Sequence, residues 1–530
     1  MPQSSINISA EIEKYITMNK TQLCTLVAVL ASSLLTGYAH AKDLADSRPP
    51  VVSLKESKPN IILVMTDDQG MGDLACLGNP ILETPNIDKF YEESTRFTDF
   101  QVSPACAPTR AAIMSGRHEF RVGITHTILM RERMALDLFT LPQALQSAGY
   151  ATGIFGKWHL GDEEPYLPHS RGFQESLIHG AGGIGQVRFG DFPPNGENTY
   201  YDSVLLHNNE IVQTKGYCTD LFFDAGLSWI KQQITAEQPY FAYISTNAPH
   251  TPNIAPEKYT KRFEDMGWEL NPKNGPAGRF GMIENIDENF GRMMEKLEAW
   301  GALDNTLIIF MTDNGMSHVE GKKNGEITPF YTAGLKGKKC TPYEGGTHVP
   351  AFWYWKGVLG EGVDIDALTA HIDMYQTFCE LTGVQLPEQM QELDGRSLLP
   401  LLENPESEWG DRELFVHVGR WSENQRVAKD AESAKFINCA VRTDRWRFVN
   451  NKELYDISVD PGETTDVSAN YPEVIDQIRK SYDAWWKKTV PLMVNEGLST
   501  PGAKKKHPLA ERYKEQLSQG DIPEWSPEEF

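Results

Sequence analysis

Asn60-Ile61-Ile62-Leu63-Val64-Met65 runs without a charge into Thr66-Asp67-Asp68-Gln69-Gly70. A continuous apolar run of this length predicts a strand of a parallel sheet, buried on both faces. Its carboxyl end is where open α/β sheets bind ligands, and there the chain places two adjacent carboxylates. A second run, Thr306-Leu307-Ile308-Ile309-Phe310-Met311, ends the same way in Thr312-Asp313-Asn314-Gly315. Either pair alone is an ordinary acidic turn. Together, Asp67, Asp68, Asp313 and Asn314 offer oxygen donors only, a set that suits calcium or magnesium and not zinc.

Other strand ends carry chemistry too. Arg96-Phe97-Thr98-Asp99-Phe100 reads as a strand leading to Ser103-Pro104-Ala105-Cys106-Ala107-Pro108-Thr109-Arg110, where a short helix begins that stops at Gly116. Cys106 stands at the helix mouth, where free N–H groups and the dipole favour an anion or an acidified nucleophile. Arg110, one turn on, faces the same side. The bland reading is a buried cysteine. Strand Ala151–Phe155 leads to Gly156-Lys157-Trp158-His159-Leu160-Gly161, with Lys157 and His159 on one side if the backbone stays extended. Strand Pro239–Ser245 leads to Ala248-Pro249-His250-Thr251-Pro252, a histidine between prolines. A basic loop, Leu335-Lys336-Gly337-Lys338-Lys339-Cys340, precedes Tyr343-Glu344-Gly345-Gly346-Thr347-His348.

The composition is that of a globular protein, 40% hydrophobic and 23% charged, and 530 residues allow a large core. A net charge of -23 argues against a nucleic-acid partner. It leaves an anionic substrate open, because a local cluster of cations can outweigh the global field. Asn19-Lys20, the apolar run Leu23–Leu35 and the small-residue site before Ala41 have the layout of a cleaved signal peptide. We therefore expect Met18 to be the true start, residues 1–17 to be a mis-assigned extension, and cleavage after Ala41 to release a periplasmic or secreted protein without a stable membrane anchor. The six cysteines beyond Cys24 are scattered, with no framework of pairs.

Further along, Leu141–Ala148, Asp220–Gln233, Ile283–Trp300 and His371–Leu381 read as helices, and Ala351–Trp355 as a strand. Residues 165–215, rich in Gly and Pro, read as long loops over a site. Pro400–Arg412 reads as a boundary. Beyond it, four strand-like runs between Leu414 and Asp456 and a helix from Pro472 to Lys487 predict a small antiparallel sheet with a helix. The tail from about 490 shows no periodicity. The fold class is α/β: a large, mixed but mostly parallel sheet sandwiched by helices, plus this smaller subdomain.

In this order, the motifs resemble those of the type I sulfatases, the formylglycine-dependent branch of the alkaline-phosphatase superfamily. Cys106-Ala107-Pro108-Thr109-Arg110 resembles the signature Cys-x-Pro-(Ser/Ala/Thr)-Arg, and Gly156–Gly161 the second signature. Asp67-Asp68, Asp313-Asn314-Gly315, Ala248-Pro249-His250, the Glu344-Gly345-Gly346 region and Glu453-Leu454-Tyr455-Asp456 match the remainder. The resemblance implies an alkaline-phosphatase-like catalytic domain over 58–405, a C-terminal subdomain over 410–490 and an extension over 491–530. It implies that a formylglycine-generating or equivalent maturation enzyme converts Cys106 to formylglycine (3-oxoalanine), whose hydrate is the nucleophile. It implies one calcium ion per chain, rather than magnesium, on Asp67, Asp68, Asp313, Asn314 and the modified Cys106. Arg110 and Lys157 would stabilise the nucleophile, His159 would take its second proton, Lys339 would bind sulfate, and His250 would protonate the leaving alcohol.

Lys336 and Lys338 are rivals for the role of Lys339, and His348 stands where many relatives have Arg. His118, Arg171, Lys336, His348 and His371 are the candidates for substrate subsites, with His126 a further histidine in reach. The expected function is an exported sulfatase acting on a sulfated carbohydrate. The alternatives are a phosphodiesterase or phosphonate hydrolase of the same superfamily and an inactive glycan-binding homologue.

Overall fold

The computed structural model describes residues 53–192, 198–421, 430–496 and 507–530, so the expected leader through Ala41 lies outside the described residues. Ten strands form the main sheet. In chain order they are β1 (Asn60–Thr66), β2 (Thr95–Phe97), β3 (Ala151–Gly156), β4 (Glu175–Ile178), β5 (Val204–His207), β6 (Glu210–Gln213), β7 (Tyr240–Ser245), β8 (Thr306–Thr312), β9 (Ala351–Tyr354) and β10 (Val363–Ile365). Their spatial order is β10-β2-β9-β8-β1-β7-β3-β4-β5-β6. The central block β8-β1-β7-β3-β4 is parallel throughout, and antiparallel strands flank it on both sides.

Period-two alternation divides β1 between two apolar layers. Ile61, Leu63 and Met65 pack with helices α1 (Cys106–Ser115), α2 (Leu141–Ser147) and a helix over Asp373–Thr382. Ile62 and Val64 pack on the opposite face with helices Cys218–Thr235 and Pro276–Ala299. A strand buried on both faces can be apolar without interruption, which is why β1 and β8 were legible as runs.

The register fixes the site. β1 and β8 pair from Asn60↔Thr306 to Thr66↔Thr312, so Asp67-Asp68 and Asp313-Asn314 leave the sheet side by side. β3 ends level with β7 at Gly156↔Ser245, and the Lys157 N–H donates to Ser245 O at 2.7 Å. Charged and polar residues from four loops therefore meet above one edge.

Several local expectations differ. Residues 165–215 are not loops alone. They contain β4, β5 and β6, which extend the sheet, and their short length hid them among glycines and prolines. Arg96–Phe100 is broken into β2 and a two-residue strand, Phe100–Gln101. His371 precedes its helix, which starts at Asp373. The tail is not featureless, because Pro508–Gln519 is a helix. Beyond it, Gln213 donates to Pro523 O and accepts from the Trp525 N–H, both at 2.9 Å, which covers the open edge at β6.

The small sheet, β11 (Leu414–His417), β12 (Cys439–Arg442), β13 (Trp446–Val449) and β14 (Glu453–Asp456), is antiparallel, and helix Pro472–Thr489 packs on it. Glu344 joins it to the main sheet's loops. Its buried carboxylate accepts from Arg442 Nε at 3.0 Å and Arg447 Nη1 at 2.5 Å.

The tail's attachment is testable. Leu509 is 1% exposed and packs in the first apolar layer. Leu509→Ala should cost about 2–5 kcal/mol, read as a lower urea midpoint at unchanged slope; an unmoved midpoint would mean that the tail is not part of the core.

Candidate active site

The site begins with α1. Ala105 is extended and Cys106 opens the helix, whose every residue is buried; Gly116 ends it at φ 65°. A side chain at Gly116 would strike Tyr375 at 2.9 Å and would also need this left-handed backbone, so glycine is required there. Cys106 thus sits at the dipole's positive end, facing the carboxylates of the sheet edge.

Those carboxylates are held in a charge-balanced cluster. Lys157 Nζ donates to Asp67 Oδ2 at 2.7 Å. Lys339 Nζ donates to Asp68 Oδ1 at 2.5 Å, and Asn314 Nδ2 donates to the same oxygen at 2.9 Å. Arg110 Nη2 donates to Asp313 Oδ2 at 2.7 Å, while its Nη1 reaches Lys157 O at 3.0 Å, Tyr243 OH at 3.3 Å and Ser245 Oγ. Burial pushes the Asp67 carboxyl up to about 6 against the pull of Lys157. Burial and the neighbouring Asp67 push Asp313 up to about 6. At Asp68 burial also pushes upward, but Lys339, His250 and Lys157 together outweigh it and hold the group well below the usual range. The Cys106 thiol is likewise lowered, because Lys157 and Lys339 outweigh its burial.

Donor atoms of Asp67, Cys106 and Asp313 lie within 4.8 Å of one another. Asp67 Oδ1 and Asn314 Oδ1 are buried without a hydrogen-bond partner. Orphaned buried oxygens are costly unless something fills the space between them. An all-oxygen set beside one sulfur position fits a hard cation.

Two histidines flank the cluster in defined tautomers. His159 Nε2 lies 2.9 Å from Thr127 O, which can only accept, so Nε2 carries the proton and the buried, unpartnered Nδ1 is a free lone pair. Glu132 Oε2 stands 3.3 Å from the same Nε2. His250 Nδ1 donates to Thr251 O at 2.7 Å, which turns Nε2 toward Asp68 Oδ2 at 3.8 Å. Burial lowers both rings, His250 to about 4. His159 does not lie on extended backbone, as its φ is 62°. Its orientation comes from this left-handed turn rather than from strand alternation with Lys157.

The Gly-rich segment explains itself here. A Cβ on Gly182 would fall 2.6 Å from the His159 ring, and one on Gly183 3.3 Å from His250. Cys106, His159, His250 and Lys339 line one cavity of about 390 Å³. Thr127, Gln186 and Arg420 also line it, and sequence reasoning did not single them out. They come from irregular loops without periodicity or motif.

Of the three basic-loop lysines, Lys339 is the one that reaches Asp68. Lys336 instead donates to Tyr455 OH at 2.7 Å. His348 pairs with Glu344 at 2.9 Å, and Arg171 donates to Leu136 O and Ala135 O. His118 and His371 line a separate cavity of about 280 Å³ together with Ser103 and Glu119. The structure therefore does not bring these five candidates to the cavity of Cys106.

The chain resembles known proteins over most of its length. The family model described as sulfatase matches residues 59–384, and that described as N-sulphoglucosamine sulphohydrolase, C-terminal, matches residues 337–488. Arylsulfatase A of Homo sapiens is 29% identical over 487 residues, spanning 83% of this chain and 89% of the relative. N-acetylgalactosamine-6-sulfatase of Rattus norvegicus is 28% identical over 421 residues, spanning 74% and 73%. The crystal structure of Ps i-CgsB in complex with k-i-k-neocarrahexaose superposes with a TM-score of 0.68 at 26% identity, covering 87% of this chain and 98% of that one.

Two measurements follow from this geometry. After exhaustive chelation, adding calcium should raise Tm until the site fills, with about 2.7 kcal/mol gained at a hundredfold excess over Kd. Asp67→Asn and Asp313→Asn should abolish the rise; a wild-type Tm indifferent to calcium would exclude the cation. The second concerns Glu119, which is 2% exposed and pushed by burial up to about 8. Between its ordinary value and about pH 8 the folded chain holds a proton that the unfolded chain has released, so stability falls as pH rises through that window. Glu119→Gln keeps the neutral shape and should lose this part of the slope, gaining on wild type from about pH 5 to about pH 8; parallel curves would show that the carboxyl is ionised in the fold.

Proposed function

The chain belongs to the sulfatase family and is a sulfuric ester hydrolase; from that premise we propose that its substrates are sulfated carbohydrates, that Cys106 acts as formylglycine, and that calcium occupies the Asp67–Asp313 cluster. One observation carries the reading. Cys106 at a helix mouth faces three buried carboxylates that three fixed cations already balance.

A dication added to this balance leaves positive charge in excess, which is what an anionic ester requires of a buried site. Calcium there would polarise the sulfuryl oxygens and lower the pKa of the nucleophile. Matured Cys106 would supply a hydroxyl nucleophile in place of the thiol. The remaining work belongs to this chain's own side chains. Arg110 and Lys157 hold Asp313 and Asp67 in register and keep positive charge beside Cys106. The free Nδ1 of His159 is the acceptor for a proton from the residue at 106, because Thr127 O has fixed the other nitrogen. Lys339 directs an ammonium into the cavity toward the sulfate. His250 stands on the same cavity wall and delivers a proton to the departing alcohol, once the charge of a bound sulfate raises its basicity.

Carbohydrate as the substrate class is supported by the relatives named for N-acetylgalactosamine sulfate and by the neocarrahexaose in the complex of the structural neighbour. Export and maturation by a formylglycine-generating or equivalent enzyme complete the proposal. Their support is the leader-like stretch before Ala41 and the Cys106-Ala107-Pro108-Thr109-Arg110 signature. Among the described residues, no helix is long and apolar enough to cross a membrane.

The test is sulfate release from protein expressed with a maturation system, alongside the same protein as Cys106→Ala. Turnover should be confined to the matured wild type, and a preference for phosphate monoesters or diesters would overturn the reading. His250→Ala should slow sugar sulfates about 10²–10⁴-fold, the usual contribution of a general acid. It should slow 4-nitrophenyl sulfate far less, since that leaving group needs no proton. Equal losses on both would remove His250 from the acid role.

A further inference from the structure

Arg420 is half-buried and lines the cavity of Cys106. It follows β11, its N–H donates to Thr125 O at 2.9 Å, and its Nη2 donates to Thr127 Oγ1 at 2.7 Å. Its Nε is buried without a partner, and among the described residues no carboxylate pairs with it. Five buried arginines, Arg110, Arg279, Arg412, Arg442 and Arg447, each hold a carboxylate at 2.5–3.0 Å, whereas the buried Arg171 donates to backbone carbonyls alone. In a chain with 73 acidic residues, a partner could easily have been provided. A half-buried guanidinium that holds no carboxylate keeps donors for an anion carried by a ligand.

The location indicates which anion. Arg420 lines the same cavity as Cys106, His159 and Lys339. Thr127 links it to the chemistry, since the Thr127 hydroxyl accepts from Arg420 while the Thr127 carbonyl accepts from His159. The scissile sulfate already has Lys339 and the cluster at Cys106, and Arg110 has its donors committed to Asp313, Ser245 and Lys157 O. His126 lines the same cavity, and burial together with Arg420 lowers its pKa.

We propose that Arg420 is the recognition point for a second anionic group, carried by the sulfated sugar or by the sugar joined to it. This rests on the reading of the protein as a carbohydrate sulfatase and sharpens it to substrates with two negative groups. A planar guanidinium anchored through Nη2 to Thr127 presents a fork that sulfate and carboxylate accept in pairs. Both share this chemistry, and the probes below separate them.

The probes are N-acetylgalactosamine 6-sulfate, its 4,6-disulfate, and the uronate-containing chondroitin 6-sulfate disaccharide, with 4-nitrophenyl sulfate as a reaction lacking the second group. Binding of the three sugars is measured by calorimetry on unmatured protein, where Cys106 cannot turn over, and kcat/KM is measured on matured protein. Wild type should bind the disulfate, the uronate disaccharide or both at least tenfold more tightly than the monosulfate. Arg420→Ala should reduce that affinity about 30-fold, which is about 2 kcal/mol at 1.4 kcal/mol per decade, and Arg420→Lys should recover part of it. The accompanying loss in kcat/KM should lie in KM and exceed any loss on 4-nitrophenyl sulfate at least tenfold. Preference for the disulfate identifies sulfate as the second group, and preference for the disaccharide identifies carboxylate. Equal affinity for all three sugars, or equal losses on the sugar and the aryl sulfate, overturns the inference. Absent turnover of every sulfate with the binding preference intact would instead remove the sulfatase reading and leave the anion site standing.

Discussion

Everything at this site depends on burying Asp67, Asp68 and Asp313 together above one sheet edge. Three carboxylates this close would not ionise together in an apolar pocket. They coexist because Lys157, Lys339 and Arg110 each bond to a different one, at 2.7, 2.5 and 2.7 Å. The balance is local and nearly complete, yet it leaves Asp67 Oδ1 and Asn314 Oδ1 without partners. Two buried oxygens without partners beside this balanced cluster are the kind of donor that a hard cation accepts.

The sheet makes the cluster possible. Parallel pairing of β1 with β8 brings two acidic turns level, and β3 with β7 brings Lys157 level with them. A slip of one residue would exchange the two apolar layers along each strand and carry Asp67 away from Asp313. The hydrophobic alternation that stabilises the core therefore also sets the geometry of the carboxylates.

This coupling explains what the sequence disclosed. The apolar runs ending in Asp67-Asp68 and Asp313-Asn314 were legible because burial on both faces permits no polar interruption, and Cys106 because Gly116 ends its helix. The short strands β4 to β6 were hidden, as four residues among glycines carry little periodicity. His118, His348 and His371 read as candidates for substrate subsites, beside His159 in its catalytic role. Which histidine reaches the cavity is decided by a left-handed turn at His159 and by glycines 182 and 183 packed on the rings, and neither has a sequence period. Thr127 and Glu132 were invisible for the same reason. Thr127 acts by where a loop places one carbonyl oxygen, and Glu132 by where a single 3-10 turn ends.

The overall charge of -23 also has to be set against the local count. Surface carboxylates act through water and salt, which at physiological ionic strength screen them over about 8 Å. The cations at Asp67, Asp68 and Asp313 are buried, so their fields are not screened in this way. Inside the cavity a ligand meets Lys339 and Arg420, while the acidic surface remains outside. An acidic protein can therefore receive an anion without contradiction. The surface charge governs solubility, whereas a few bonded pairs at one sheet edge decide what binds there.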